Sequence, residues 1–338
     1  MKQSVIMAVI LLAVLFALPL MSVNNTGGNK NDESPPDAGG TPSPAGGEVS
    51  LTDDGAMLIS VKMPDKVVTM SLADYLYGAV AAEMPAAFPE EALKAQAVAS
   101  RTLAMNRILL NRGGKGEKSH EGADVCTDYG HCEAWTRPEE SSRSWGADAS
   151  EYERKVKKAV ADTNAVLILY NEEPIVAAFH SASSGATERA ADVWGAELPY
   201  LQSVESPGET DAPRYYGISQ VEPDEIKRSM TEKYPEAVFP PDPAEWFGDE
   251  ERSTSGGILS ITIGGVKISG GEAREMFALN STNFSVVYQD GVFTFNTVGF
   301  GHGVGMSQYG ARAMALEGKS CEEILGWYYS DIKIGKYT

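Results

Sequence analysis

The chain opens with Met1-Lys2 and an apolar run from about Val5 to Val23, broken only by Pro19. A run of that length lies between a signal-peptide core and a full membrane span. No small-x-small cleavage pattern follows it, so the expectation is a retained, single-pass membrane helix over 1–23. The short Lys2-bearing stub then stays inside the cell. The next stretch holds Gly27-Gly28, Pro35-Pro36, Gly39-Gly40, Pro42, Pro44 and Gly46-Gly47. It has almost nothing to bury, which is the composition of a disordered linker over 24–50. Together the two segments confine the fold to 51–338, on the outer side of the cell membrane. A head on a tether beyond an anchor points to a substrate fixed outside the cell.

Composition supports a sizeable core: 43% of residues are hydrophobic and 22% charged. The net charge of −19 argues against a nucleic-acid partner, because counterion release needs a basic surface. It also argues against electrostatic adhesion to an anionic membrane. Within the head, Met57–Lys62 reads as a strand. Ser71 with Asp74 three residues on is a capping-box pattern that starts a helix stopped by Pro85. Pro89, Glu90 and Glu91 open a second helix that Gly113-Gly114 ends. Ala165–Tyr170 and Ile175–His180 predict a hairpin around Asn171–Pro174. Strand-like runs separated by Gly turns predict a β-rich subdomain over about 208–298. Helices return at Ser307–Leu316 and after Ser320. The class is α+β, a mixed helix/sheet head with a β-rich subdomain.

The segment Ala81-Ala82-Glu83-Met84-Pro85 puts one carboxylate in apolar company at the C-terminal end of a helix. Desolvation and the negative helix pole both disfavour its ionised form. A carboxyl kept protonated near neutrality is what general-acid cleavage of a glycosidic bond requires. Half-buried glutamates at helix ends are common, so physics alone leaves a structural role open.

Four blocks widen the case: Tyr75–Pro85, Phe88–Thr102, His180–Glu188 with Asp192-Val193-Trp194 and Pro199-Tyr200-Leu201, and Gly301–Ala311. Together they strongly resemble the stage II sporulation protein D family across nearly the whole head. That resemblance implies a membrane-anchored lytic transglycosylase acting on peptidoglycan at the sporulation septum and engulfing membrane. Glu83 is then the acid and base, and glycan strands stripped of stem peptides are the substrate. The implied partners are the amidase stage II sporulation protein P and other engulfment membrane proteins. The resemblance also extends functional roles to Lys94, Arg101 and Tyr200, with Lys94 and Arg101 orienting Glu83 or gripping sugar hydroxyls. His180, Ser184, His302 and Gln308 lie in the matching blocks and are expected to support or bind the substrate. A Ser–His pair (Ser181 or Ser184 with His180 or His302) lacks the Gly-x-Ser-x-Gly elbow.

His120, Cys126, His131 and Cys132 stand close together in a glycine-rich loop. Two imidazoles and two thiolates suit one tetrahedral structural zinc ion, with no position left for water. Clostridial-type members of the family resemble this arrangement. A Cys126–Cys132 disulfide is the alternative in an exported protein. A deaminase zinc is rejected, since the downstream Pro-Cys-x-x-Cys is missing. Two other functions stay open: a zinc-dependent wall hydrolase with Glu121 or Glu133 as base, and a non-catalytic glycan tether.

Overall fold

The computed structural model describes residues 51–114, 120 and 122–337. The expected anchor and linker lie outside the described residues, as does Glu121. Among the described residues no helix is long and apolar enough to cross a membrane. All of them belong to one compact unit, Glu33–Thr338.

The elements run β1 (Leu58–Lys62), β2 (Val67–Ser71), α1 (Leu72–Glu83), α2 (Glu90–Arg112), β3 (Val125–Cys126), α3 (Pro138–Trp145), α4 (Ala149–Asp162), β4 (Val166–Tyr170), β5 (Glu173–Pro174) and β6 (Phe179–His180). They continue with α5 (Ala190–Trp194), β7 (Tyr216–Val221), α6 (Pro223–Lys233), β8 (Phe247–Arg252), β9 (Ile258–Ile263), β10 (Val266–Ser269) and α7 (Gly270–Met276). Last come β11 (Phe284–Gln289), β12 (Val292–Val298), β13 (Met306–Ser307), α8 (Gln308–Leu316), α9 (Cys321–Tyr328) and β14 (Lys333–Lys336). Helices and small sheets are mixed, so the class is α+β.

One hydrophobic core gathers α1, α2, α4, β4 and the C-terminal helices. α2 is its axis: Leu93, Ala97, Ala104 and Ile108 are all buried, and the small side chains let neighbouring helices approach. A second core is built from Ile226, Trp246, Ile261, Phe277, Phe293 and Phe295. Two three-stranded sheets, β10-β9-β8 and β11-β12-β7, supply most of it.

Local signals place the ends of the key helices. The Ser71 hydroxyl caps α1 by accepting from Asp74 N–H at 3.1 Å. Pro85 follows the Met84 cap and ends the helix. Ser307 caps α8, accepting from Gly310 N–H at 3.1 Å, and Ser320 with Glu323 forms a full capping box on α9.

The expected hairpin is corrected. On the hairpin side β4 pairs with Glu173–Pro174 alone, through a turn in which Asn171 and Glu172 take φ of 51° and 65°, and its other edge takes β14. Phe179–His180 instead pairs parallel with Met306–Ser307. A two-residue pairing between segments so far apart in sequence carries no local periodicity to read.

Candidate active site and metal centre

Glu83 is the last residue of α1, and its environment is built from three distant segments. Gly78, in the middle of α1, makes room for the first. A Cβ there would run into the Trp135 indole and the Thr136 carbonyl. Without it, the strap after Cys132 lies flat on the helix: Trp135 Nε1–H donates to Tyr75 O at 3.1 Å and Thr136 N–H to Gly78 O at 3.2 Å. This seating brings Ala134 N–H to Glu83 Oε1 at 2.6 Å. The Gln308 amide, at the first residue of α8, stands close enough to act on the carboxyl as well. That amide also reaches Gln96 Oε1 at 3.3 Å, and Gln96 Nε2 reaches Ser100 Oγ at 3.1 Å. The third segment is therefore α2.

Burial pushes the Glu83 carboxyl up to about 7; the Ala134 N–H and the Gln308 amide hold it back only in part. Both opposing groups are neutral. The side chain is half-buried, so protein crowds it while part of it stays open to solvent. A second acid, Glu133, lies beside it at 2% exposure with neither oxygen hydrogen-bonded. Burial first, then the Glu83 charge, push Glu133 up to about 8. Ser100 stands near enough to oppose this slightly without a proper hydrogen bond. Glu133 is thus a sealed, neutral acid around pH 7.

Several expected partners of Glu83 are placed elsewhere. Arg101 is fully buried in the core, where Nε bonds both Asp54 oxygens at 2.9 Å. Its remaining donors go to Ala97 O, Val160 O, Val166 O and the Thr163 hydroxyl. It neither orients Glu83 nor reaches a sugar; the guanidinium stitches α2 to α4 and the chain before β1. Lys94 pairs with Glu91 at 2.8 Å and Asp162 at 3.6 Å. Its pKa is raised chiefly by the Glu91 hydrogen bond. Seven residues of α2 do put both cations on one side of the helix, but that side packs on α4 rather than facing Glu83.

Tyr200 is buried, its hydroxyl accepting from Val176 N–H at 3.2 Å. His180 is buried too, between Val304 O at 3.1 Å and Ser183 Oγ at 2.7 Å. Burial drives both His180 and His302 down to about 3, so both stay neutral. His302 is half-buried, its ring 5.2 Å from that of Trp194. Ser184 Oγ donates to Ser255 O at 3.4 Å. The Ser–His contact therefore uses Ser183, not Ser181 or Ser184, and at 2% exposure it is closed to a substrate. Of the expected supporting residues, Gln308 is the one placed on the acid.

The four expected metal ligands converge. Their donor atoms all lie within 4.8 Å of one another. His120 Nε2 is 2.8 Å from His131 Nδ1 and 3.3 Å from Cys132 Sγ. His131 Nδ1 is 3.4 Å from Cys126 Sγ and 3.6 Å from Cys132 Sγ. Ligand bonds of about 2.0 Å to nitrogen and about 2.3 Å to sulfur around a tetrahedral zinc demand edges of roughly 3.3–3.8 Å. Three of the four distances fall in that range and the His120–His131 contact is shorter, while the donor set of two imidazoles and two thiolates suits the ion. The Asn111 amide sits 2.5 Å behind His120 Nδ1, in the place of an outer partner that fixes a ligating ring. Cys126 and Cys132 stand as free thiols here. The Cys132 thiol first, with the His120 and His131 imidazoles adding, holds Cys126 far below its ordinary value.

Sequence reasoning missed Ala134 and Gln96, and it raised Glu133 only as the base of a zinc-dependent hydrolase, not as a neutral acid beside Glu83. A signal for the strap existed: a glycine inside a helix pattern marks a close approach, and Gly78 meets Trp135.

The site thus defines a class: an α+β protein holding one acid of raised pKa on neutral donors, next to a closed Cys2His2 cluster. Comparison with known proteins agrees. The family described as "Stage II sporulation protein" matches residues 62–170. Stage II sporulation protein D of Bacillus subtilis (strain 168) is 33% identical, over 99% of this chain and 96% of its own length. Stage II sporulation protein D of Bacillus amyloliquefaciens is 33% identical over 80% of this chain and 76% of its own. An "Amidase enhancer" of B. subtilis is 26% identical over 78% of this chain and 40% of its own. The chain belongs to the stage II sporulation protein D family, a family of sporulation proteins.

Proposed function

We propose that this chain is a lytic transglycosylase of peptidoglycan, with Glu83 as both acid and base. The observation that carries the reading is a half-buried carboxyl held near 7 by burial and by neutral donors alone. A group poised there is protonated often enough to give a proton and ionised often enough to take one. In the first step Glu83 protonates the glycosidic oxygen after N-acetylmuramic acid, and the C1–O bond breaks. In the second, the Glu83 carboxylate removes the proton of that sugar's C6 hydroxyl. The C6 oxygen bonds to C1 and closes a 1,6-anhydro ring. Glu83 ends protonated, and no water is consumed.

Most glycosidases flank the bond with two carboxyls, one of which activates water or attacks C1. Glu133 is suited to neither task, being sealed and neutral around pH 7. That favours the single-acid route over hydrolysis, including hydrolysis with Glu133 as base to a metal-bound water. Four protein ligands also complete a tetrahedron, leaving no position for such a water. Zinc in the cluster supplies a fold-holding crosslink. His120, Cys126, His131 and Cys132 would hold it, and Ala134, two residues beyond Cys132, presents its N–H to the acid.

The substrate is glycan stripped of stem peptides, prepared by an amidase of the stage II sporulation protein P type, and the setting is the outer face of the engulfing membrane. The test is mass spectrometry of products from denuded glycan. Release of species lighter by one water than hydrolytic fragments, abolished in Glu83→Gln, is expected. Full-mass hydrolytic products, or undiminished release by the variant, would overturn the assignment; no cleavage at all by the parent would leave a glycan-binding tether.

A further inference from the structure

A small polar pocket away from Glu83 is walled largely by side-chain oxygens. It lies where the Ala182–Glu188 loop meets the segment before β11, and is lined by Ser183, Ser184, Glu188, Ser281, Thr282 and Asn283 among others. Its free volume, ≈ 10 Å³, is at the limit for one water-sized guest. Glu188 is 5% exposed. Its Oε1 accepts from Gly257 N–H at 3.1 Å, while its Oε2 is buried without a partner. Thr282 Oγ1 and Glu188 Oε1 flank Gly257, at 2.9 Å and 2.5 Å from where a Cβ would stand.

The hydroxyl protons of Ser183, Ser184 and Ser281 are already committed. His180 Nδ1 faces the Val304 carbonyl at 3.1 Å and must carry the ring proton. His180 Nε2 is therefore an acceptor, and Ser183 Oγ, 2.7 Å away, donates to it. Ser281 Oγ donates to Val298 O at 2.6 Å and Ser184 Oγ to Ser255 O at 3.4 Å. These three hydroxyls offer lone pairs alone, Thr282 and Asn283 each add a side-chain oxygen, and no lysine or arginine is among the described lining residues. A buried carboxylate oxygen surrounded by lone pairs calls for a guest with positive charge and none of its own lone pairs to satisfy. Hard cations take such all-oxygen sets, and calcium tolerates their irregular geometry better than magnesium.

We propose that this pocket binds a calcium ion through Glu188 Oε2 and the oxygens of Ser183, Ser281, Thr282 and Asn283. The ion would pin the Ala182–Glu188 loop to the segment entering β11, joining the first core to the β-rich region. Burial raises the Glu188 carboxyl, Ser253 and Gly257 oppose the rise and Asp192 adds to it, so the charged form gains most from a bound cation. Nothing in this depends on glycan cleavage, and the test reads binding rather than activity.

The experiment is calorimetric titration of calcium chloride into the full chain, freed of calcium and saturated with zinc so that the thiol cluster takes no part. One saturable site is expected in the range of about 0.1–1 mM, typical of extracellular calcium modules. Glu188→Gln, isosteric and uncharged, should bind at least about 10-fold more weakly. If Glu188→Gln fails to fold, Thr282→Val carries the test, and a several-fold loss of affinity is expected. Absence of saturable heat in the parent up to about 10 mM calcium, or parental affinity in the folded variants, would overturn the proposal.

Discussion

Replacing Glu83 with glutamine separates what the residue does for the fold from what it does for chemistry. The folded carboxyl titrates at about 7, against an ordinary value of 4.5. A folded pKa above the unfolded one means that the fold prefers the protonated form. The stability it carries is full below about pH 4.5 and is lost as the pH rises through about 7. A tenfold change in protonation equilibrium is worth about 1.4 kcal/mol. Ionising Glu83 in place therefore costs the fold about 1 kcal/mol at about pH 5 and about 3 kcal/mol at about pH 8. Glutamine avoids that cost at every pH and keeps an oxygen to accept the Ala134 N–H. Urea unfolding should show Glu83→Gln gaining roughly 2 kcal/mol on the parent between those two conditions. Over the same range the variant should lose at least about 10³-fold in glycan cleavage, since it loses both acid and base. In the parent, kcat/KM should fall as the pH passes about 7, where the acid form disappears. A stability difference that stays flat with pH would refute the raised pKa, whatever happens to the activity.

Asp54→Ala leaves the Arg101 guanidinium buried without its carboxylate; chemical unfolding should show a loss of about 3–5 kcal/mol. Elemental analysis should find one zinc per chain, and chelation should lower thermal midpoint and cleavage rate together, because the loop that holds the ion also holds Ala134 against Glu83. Activity lost with no change in melting would point instead to a catalytic metal. Gly78→Ala drives a methyl group into the Trp135 indole, so the strap must lift and take its N–H with it; cleavage should fall about 10²-fold or more while the far-ultraviolet spectrum is kept.

Much of this was readable from residues alone because the information is local. Ser71 with Asp74, Pro85, Pro89 and Ser320 with Glu323 fix helix ends within a turn of themselves. The four sulfur and nitrogen ligands lie within 13 positions of one another in sequence, 120–132. What was not readable depends on partners far along the chain. Arg101 looks like a cation on an exposed helix until Asp54, 47 residues away, is seen against it. Ser183 looks no different from Ser181 or Ser184 until the Val304 carbonyl, 124 residues from His180, fixes the imidazole tautomer. A backbone N–H such as that of Ala134 leaves no mark in composition or periodicity at all, so the donor nearest the acid was invisible to motif reading.

The placement of charge explains why those distant pairings matter to the chemistry. An arginine or lysine within about 4–6 Å of a carboxylate lowers its pKa by about 1–3, enough to strip Glu83 of the proton it must donate. In this fold neither Arg101 nor Lys94 acts on Glu83: Arg101 is held by Asp54 and Lys94 by Glu91 and Asp162, on the side of α2 that packs on α4. What reaches Glu83 instead is a backbone N–H and a side-chain amide, which orient a carboxyl without fixing its charge. The second acid, Glu133, stays neutral around pH 7 and so brings no charge of its own to the site. The Arg101–Asp54 pair thus serves the core and leaves the acid alone. Exchanging it for an apolar pair of equal volume should leave Glu83 titrating at about 7, because the arginine's charge is already spent. Removing Asp54 alone should cost the core stability, and any fraction that stays folded should still show cleavage falling as the pH passes about 7.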